Sequence, residues 1–382
     1  SRDSEDEKDR TRMSLAYNFS GVLPFSDEIQ VLAYTQDSET VQLTLENRLP
    51  PGPTSVAQNR SRNSIFEQQI DGILVSARKD IEFGSVVHRL VYGSEYYSTE
   101  NKTLRDGGTT EALTGVTVRE FFPLPTRDFP VTKVDQLAFF VQDEIELMNG
   151  RLILSPGIRY DDFEAKATAD AVYLAGNPGI SAPEDFSDSE VTAKLGVVYE
   201  FTSDLSIYGN VSEGFRAPPY DDVNVGFTNF IGGYKTISNA ALESETSIGY
   251  EIGTRLRGGW GSVNVAVFKN DYDNFIESLA TAPAFAGSGG IDPADGLLTF
   301  QSVNLSEVEI KGLEFSGKLS LAPLNDSLEG SAFKFALAYA EGENIAAAEP
   351  LDSIEPLSAV FGLTYDAPSG KWGGDLVFKI GR

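Results

Sequence analysis

Between Val191 and Phe201 the odd positions read Val191, Ala193, Leu195, Val197, Tyr199 and Phe201, and the even ones Thr192, Lys194, Gly196, Val198 and Glu200. A period of two sends successive side chains to opposite faces, so this stretch predicts a strand with one apolar and one polar side. The alternation returns in Leu137, Phe139 and Val141 against Gln136, Gln142 and Glu144, and in Ile248, Tyr250 and Ile252 against Ser247, Glu251 and Arg255. It returns again in Phe333, Phe335, Leu337 and Tyr339. About fourteen such strands are expected, near 11–19, 28–38, 62–79, 85–98, 134–147, 151–164, 190–201, 204–215, 246–257, 260–278, 300–320, 331–341, 357–366 and 371–380. Several exceed the usual strand length of a soluble sandwich.

The connections alternate in length. Short turns fall at Gly21–Asp27, Asp80–Gly84, Met148–Gly150, Thr202–Asp204, Gly258–Gly261, Leu321–Gly330 and Ala367–Gly370, and long excursions at 43–61, 99–133, 165–189, 216–245, 279–299 and 342–356. In an up-and-down sheet this collects every short turn at one end and every long loop at the other, the asymmetry of a transmembrane β-barrel with short periplasmic turns. Tyr160, Tyr199, Phe201, Trp260, Tyr339, Tyr365 and Trp372 fall near the expected strand ends, where aromatic girdles belong. Lys194, Glu200, Glu251, Arg255, Glu314 and Lys318 then line a wet lumen. The alternative, a soluble propeller or tandem sandwiches, calls for a repeat of 40 to 50 residues or balanced loops, and neither is present.

Composition removes other classes. The 382 residues carry 30 Lys and Arg against 57 Asp and Glu, a formal charge of −27, with no Cys and one His. Without clustered basic residues a nucleic-acid partner is not expected. Absent thiols and nearly absent imidazoles exclude disulfide frameworks, Cys-ligated zinc and most nucleophilic or His-based catalysis, so no enzyme activity and no resident metal are expected. No apolar run is long enough for a membrane-crossing helix, yet 41% hydrophobic content is too high for a disordered acidic chain. The acidic pairs Glu184-Asp185 and Asp221-Asp222 and the run Ser4–Glu7 have no calcium-loop spacing and read as solvated charge.

Several stretches together resemble the TonB-dependent outer-membrane receptors. Ser212-Glu213-Gly214-Phe215-Arg216-Ala217-Pro218 matches that family's Gly-Phe-Arg-Ala-Pro segment, and Asn239-Ala240-Ala241-Leu242-Glu243-Ser244-Glu245-Thr246-Ser247 is similar to its Asn-Pro-Asn-Leu-x-Pro-Glu-Thr-Ser segment. Tyr250–Arg255, Phe268–Ile276 and Asn304 followed by Ile310–Glu314 continue the likeness in family order. Phe122-Pro123-Leu124-Pro125-Thr126-Arg127-Asp128-Phe129-Pro130, with Phe300-Gln301 and Val303-Asn304, resembles the haem and haemoglobin/transferrin receptor branch. The fold implied is an all-β antiparallel barrel of the 22-strand type, of which residues 1–382 hold about fourteen strands as an incomplete barrel, with the plug domain and last strands absent.

The resemblance implies a receptor of the bacterial outer membrane that binds haem, a haem protein or a siderophore at its extracellular loops and passes the iron source inward. It is energised by the TonB complex through an N-terminal region that this stretch lacks. Haem or a ferric chelate is then cargo, and no cofactor is expected. A passive porin or structural surface barrel is the rival of another class. Candidate ligand-binding residues are Arg216, Tyr220, Phe227, Phe230 and Tyr234, in a loop that opens at Pro218 and Pro219, which cannot donate to a ladder. The same aromatics equally suit loop packing, and Arg216 a carboxylate partner. Haem receptors of this branch carry a loop His ahead of a Gly-Tyr-Lys; here Phe230-Ile231-Gly232-Gly233-Tyr234-Lys235 has none, which leaves Tyr234 or Tyr220 as substitute iron ligands. The one His, His88, is expected at the periplasmic end of its strand as an interfacial residue.

Overall fold

The structure is a computed structural model and describes residues 1–381 except 51–54, 121–122, 178–181, 230–231, 352 and 356. Phe122 and Phe230, singled out above, lie outside the described residues.

Fourteen strands form one antiparallel meander: β1 (Arg2–Ser20), β2 (Glu28–Arg48), β3 (Gln58–Phe83), β4 (Val86–Glu111), β6 (Val131–Leu147), β7 (Leu152–Thr168), β8 (Phe186–Glu200), β9 (Leu205–Arg216), β12 (Glu245–Gly258), β13 (Gly261–Thr281), β14 (Leu298–Ser320), β15 (Ser331–Asn344), β17 (Leu357–Asp366) and β18 (Gly373–Gly381). Four short strands belong to the loops: β5 (Thr117–Val118), β10 (Phe227–Asn229), β11 (Tyr234–Ile237) and β16 (Glu349–Pro350). Two short helices, α1 (Ala171–Gly176) and α2 (Tyr220–Asn224), also sit in loops. Each long strand pairs with the next in sequence, β1 bonds only to β2, and β18 only to β17. Among the described residues, then, the sheet is a curved wall with two open edges, as expected.

The register sorts the side chains. Ile252, Val267, Leu313 and Tyr339 lie in one row across β12 to β15 and are 58%, 45%, 43% and 44% exposed, so the apolar face looks outward. The inner face is polar, and it is notched. Tyr34 lies directly across the ladder from Gly72, Phe140 from Gly93, Tyr208 from Gly253 and Phe268 from Gly312. A Cβ added at any of these glycines would come within 2.9 Å of the facing ring, so each lumenal aromatic occupies the space a side chain would need. Glycine opposite an aromatic is the pairing that lets a strongly curved sheet keep large rings on its inner side.

The strands are longer than the sequence pattern predicts, chiefly at the loop end. β3 has 26 residues; at about 3.3 Å per residue and roughly 45° of tilt it climbs about 60 Å, some twice the ~30 Å hydrocarbon layer. The ladders therefore continue beyond the membrane, and residues 43–48 and 99–111, expected in loops, are strand. Alternation of apolar and polar residues ends where lipid ends, while backbone pairing does not. Tyr160 and Tyr339 consequently lie within strands rather than at their ends. Tyr96, Tyr160 and Tyr339 each donate a hydroxyl hydrogen bond to a carboxylate, Asp135, Asp162 and Glu341 respectively. Those phenols mark the upper rim of the apolar band. Above it the outer face is charged, with Lys269 bonded to Asp271 at 3.0 Å and to Glu309 at 2.9 Å. The acidic excess is thus carried by the outer wall above the membrane as well as by lumen and loops.

The outward row gives a direct test. Ile252→Arg on the lipid side is expected to destabilise the folded barrel by about 2–4 kcal/mol, whereas the lumenal neighbour change Glu251→Gln leaves stability nearly unchanged. Urea unfolding of the barrel in lipid vesicles, followed by its heat-modifiable gel mobility, reads the difference.

Candidate functional site

The loop after β9 is fastened to the wall by the very residues that carry the family resemblance. Arg216 is the last residue of β9 and faces Glu245, the first of β12. Their side chains are 3.8 Å apart, and the buried Glu245 carboxylate also accepts the Ile276 N–H at 3.0 Å. Phe215 pairs with Thr246, Pro218 is fully buried, and Ala217 packs on a core of Val134, Phe163 and Ala165. At the loop's far end Asn239 donates to the Ser302 carbonyl at 2.9 Å, and Leu242 is buried. Asn304 accepts the Glu243 N–H at 2.9 Å and donates to the carbonyls of Glu243 and Asn274. Side chains here supply the partners that backbone groups lose where the ladder stops.

Three more loops lean on this strut. In the loop after β4, Arg127 donates to Asp170 at 2.9 and 2.8 Å and to the Thr103 carbonyl at 2.5 Å. Asp170 is also the N-cap of α1, accepting the Tyr173 N–H, and the Arg127 hydrogen bond holds its carboxyl below the usual range. Arg105 pairs with Asp128 at 2.9 Å, and burial pushes the Asp128 carboxyl up despite it. The buried Asn224 of α2 exchanges two hydrogen bonds with the Glu184 backbone, and Gly226 N–H donates to the Asp128 carbonyl. The loop after β13 is tied in by Lys235, whose ammonium lies 2.6 Å from Asp292 and 2.8 Å from Asp295. Segment β11 runs parallel to β14 and antiparallel to β10, so the loop carries a small sheet of its own.

The four candidate ligand residues that are described separate. Arg216 belongs to the strut. Tyr220 is walled in, its ring edge-on to Phe129 at 5.2 Å and packed with Ala217 against the core beneath; burial drives its phenol pKa upward. Phe227 and Tyr234 come together, ring centroids 5.8 Å apart, with Phe300 beyond at 6.3 Å and the Arg105 guanidinium 4.3 Å over the Phe227 ring. This aromatic platform stands where the loops fold back over the lumen. Sequence reading missed Arg105, although its lumenal position follows from the β4 alternation through Thr99, Asn101 and Thr103. The strut bonds of Asn239 and Asn304 carry no sequence signal beyond the motif itself. His88 lies near the β3–β4 turn, as expected; its Nδ1 is 2.6 Å from Asp143, and the ring stands edge-on to Phe83. Among the described residues no group of three or more His, Cys, Asp or Glu is arranged to hold a metal ion.

A one-layer wall with an apolar outside, a polar inside, short turns at one end and knotted loops at the other defines an outer-membrane β-barrel. The chain belongs to the TonB dependent receptor-like, beta-barrel family, whose model matches residues 1–381. It is 28% identical over 242 residues to a hemoglobin-haptoglobin utilization protein B of Neisseria meningitidis serogroup C, covering 59% of this chain and 29% of the relative. It is 26% identical to a hemoglobin and hemoglobin-haptoglobin-binding protein A of Haemophilus influenzae, covering 52% of this chain and 18% of that protein. The chain thus spans less than a third of the length of these relatives. Among solved structures the fold matches the copper transporter OprC at a TM-score of 0.71 and 16% identity, over 100% of this chain and 53% of that one. The Serratia marcescens hemophore receptor HasR matches at 0.63 and 14%, over 98% and 62%.

Two tests follow from the strut and the clamp. Asn304→Ala removes three side-chain bonds to the backbone and is expected to cost about 1–3 kcal/mol, read as faster tryptic cleavage at Lys235 in the loop it anchors. Burial works against the Lys235 charge, but the hydrogen bonds it donates to Asp292 and Asp295 outweigh it and raise the ammonium pKa, while the Lys235 hydrogen bond lowers that of Asp292. The carboxylate contribution is full above its ordinary value of 3.8 and is lost as pH falls through the lowered one; the ammonium contribution is full below its ordinary 10.5 and is lost as pH rises through the raised one. Hydrogen-exchange protection of 234–237 should therefore stay flat from about pH 5 to 9 and fall on acidification below about pH 4.

Proposed function

We propose that the chain is the barrel wall of a receptor that takes up an iron source, haem or haem derived from a haem protein, through energised gating by the TonB complex. The observation that carries this reading is the run of relatives named for binding or using hemoglobin and hemoglobin-haptoglobin, aligned over about half of the chain or more. The site suits it physically. Phe227 and Tyr234 offer flat apolar contact beside a cationic guanidinium, and a planar, partly apolar anion fits that surface. The work is binding and passage, with haem as cargo and no covalent step. Of the two tyrosines weighed as iron ligands, Tyr220 is spent on packing, which leaves Tyr234. Membership of a receptor family favours this reading over a passive porin.

A second reading, uptake of a ferric siderophore or another nutrient, is favoured by one feature: the loop segment that ends in Gly233, Tyr234 and Lys235 holds no His. Titration of the intact receptor with haem and with ferric siderophores separates them. A Soret shift saturating at micromolar haem or below is the expected result. Tight siderophore binding without any Soret shift would replace the haem reading with the second.

A further inference from the structure

Beneath the aromatic platform the inner wall turns basic. Arg60 and Arg62 lie on the same face of β3, across the ladder from Glu46 and Thr44 of β2, and Arg105 of β4 stands across from Ser64. With Leu124 and Phe227 from the loops they line a cavity of about 240 Å³. Arg48, near the loop end of β2, adds a further guanidinium. Four carboxylates stand nearby, of which Asp106 lines the cavity itself. Glu46 lies 3.8 Å from Arg60 and is shared with Arg2 at 3.7 Å, Glu120 of the loop after β4 lies 2.5 Å from Arg62, and Asp128 takes Arg105.

Buried donors and acceptors both lack partners at this pocket, the Asn63 Oδ1 among the acceptors. The Nε atoms of Arg48 and Arg60 are buried with no hydrogen-bond partner, and one Glu120 oxygen likewise has none. Burial, then the neighbouring charges of Arg62 and Arg48, push the Arg60 pKa down, against the pull of Glu46 and Glu120. Guanidinium stays charged at any ordinary pH, so these groups always require anionic partners, whether the chain's own carboxylates or a ligand's. Planar forked donors match carboxylates best.

We propose that Arg60, Arg62 and Arg105 form a carboxylate subsite. It takes the carboxylate groups of an incoming ligand whose apolar body lies on Phe227, and Glu120 is the loop's own carboxylate, seated on Arg62 until the ligand displaces it. The subsite deepens the uptake reading and rests on it only for the ligand's apolar body.

The test uses the intact receptor with three probes: haem, haem dimethyl ester, whose carboxylates are blocked, and citrate, which has carboxylates and no apolar body. Arg60→Gln with Arg62→Gln should weaken haem and citrate about tenfold or more and leave the ester unchanged, because each lost charge-assisted pair is worth about one decade. Glu120→Gln, which vacates the subsite, should instead tighten haem and citrate by a few-fold. Heat-modifiable mobility confirms that each variant is folded, and Arg60→Lys with Arg62→Lys should retain part of the affinity if the double Gln variant fails to assemble. Unchanged haem affinity in the folded double variant, or ester binding as tight as haem in the wild type, would overturn the subsite and leave the uptake reading standing. Citrate binding that is lost in the double variant, in a receptor that binds no haem, would support the subsite and overturn the haem reading.

Discussion

Most of this wall follows from one requirement of hydrocarbon: a backbone N–H or C=O without a partner costs several kcal/mol there, so each strand between the two edges pairs with both neighbours across the membrane. Uninterrupted antiparallel registers such as Arg2 to Ser20 against Glu46 to Glu28 are the consequence. Register in turn fixes which face every residue shows, because a slip of one position would put Glu251 into lipid and Ile252 into the lumen. The lipid-facing rows, the charged lumen and the aromatic–glycine pairs are all readings of that single ladder.

Above the membrane the requirement relaxes but the ladder persists, and the extra height gives the loops something to stand on. The excursion 217–244 packs Ala217 and Tyr220 on the core beneath. Its backbone is also held by side chains: Arg216 and Glu245 face each other across the two roots, and Asn239 and Asn304 fasten the far end. Lateral ties, Asn224 to Glu184, Arg127 to Asp170 and Lys235 to Asp292, then join neighbouring loops into one roof. Order at the platform of Phe227 and Tyr234 draws on these polar bonds as well as on the apolar core below.

The membrane-embedded part was legible in the sequence because lipid enforces alternation, and the turns at Met148–Gly150 and Gly258–Gly261 fall at the expected places. The upper strands were not legible, since residues 99–111 stand above the lipid and nothing compels an apolar outer row there. The motif residues were legible as a pattern but not as a role. Arg216 and Tyr220 looked available to a ligand from their positions in a loop, and only the fold shows the first against Glu245 and the second against Phe129. The basic cluster was hidden for another reason: Arg60, Arg62 and Arg105 are scattered singly among acids, and converge because β3 and β4 are neighbours.

That convergence bears on how so acidic a chain, at −27, meets a ligand. Charges in water are screened beyond about 8–10 Å at physiological salt, so the acidic outer wall neither steers nor strongly repels what arrives at the roof. Selection falls to contacts made after desolvation, where a guanidinium or an aromatic face counts for far more than it does in bulk water. Holding Arg48, Arg60 and Arg62 close together is costly, and Glu46 and Glu120 offset only part of that cost. Their cross-strand placement on a rigid ladder is what maintains the arrangement, because neither β2 nor β3 can turn a side chain away without losing its register. The wall that lipid demanded below thus supplies, above, the stiffness that lets like charges stay together beside an aromatic face.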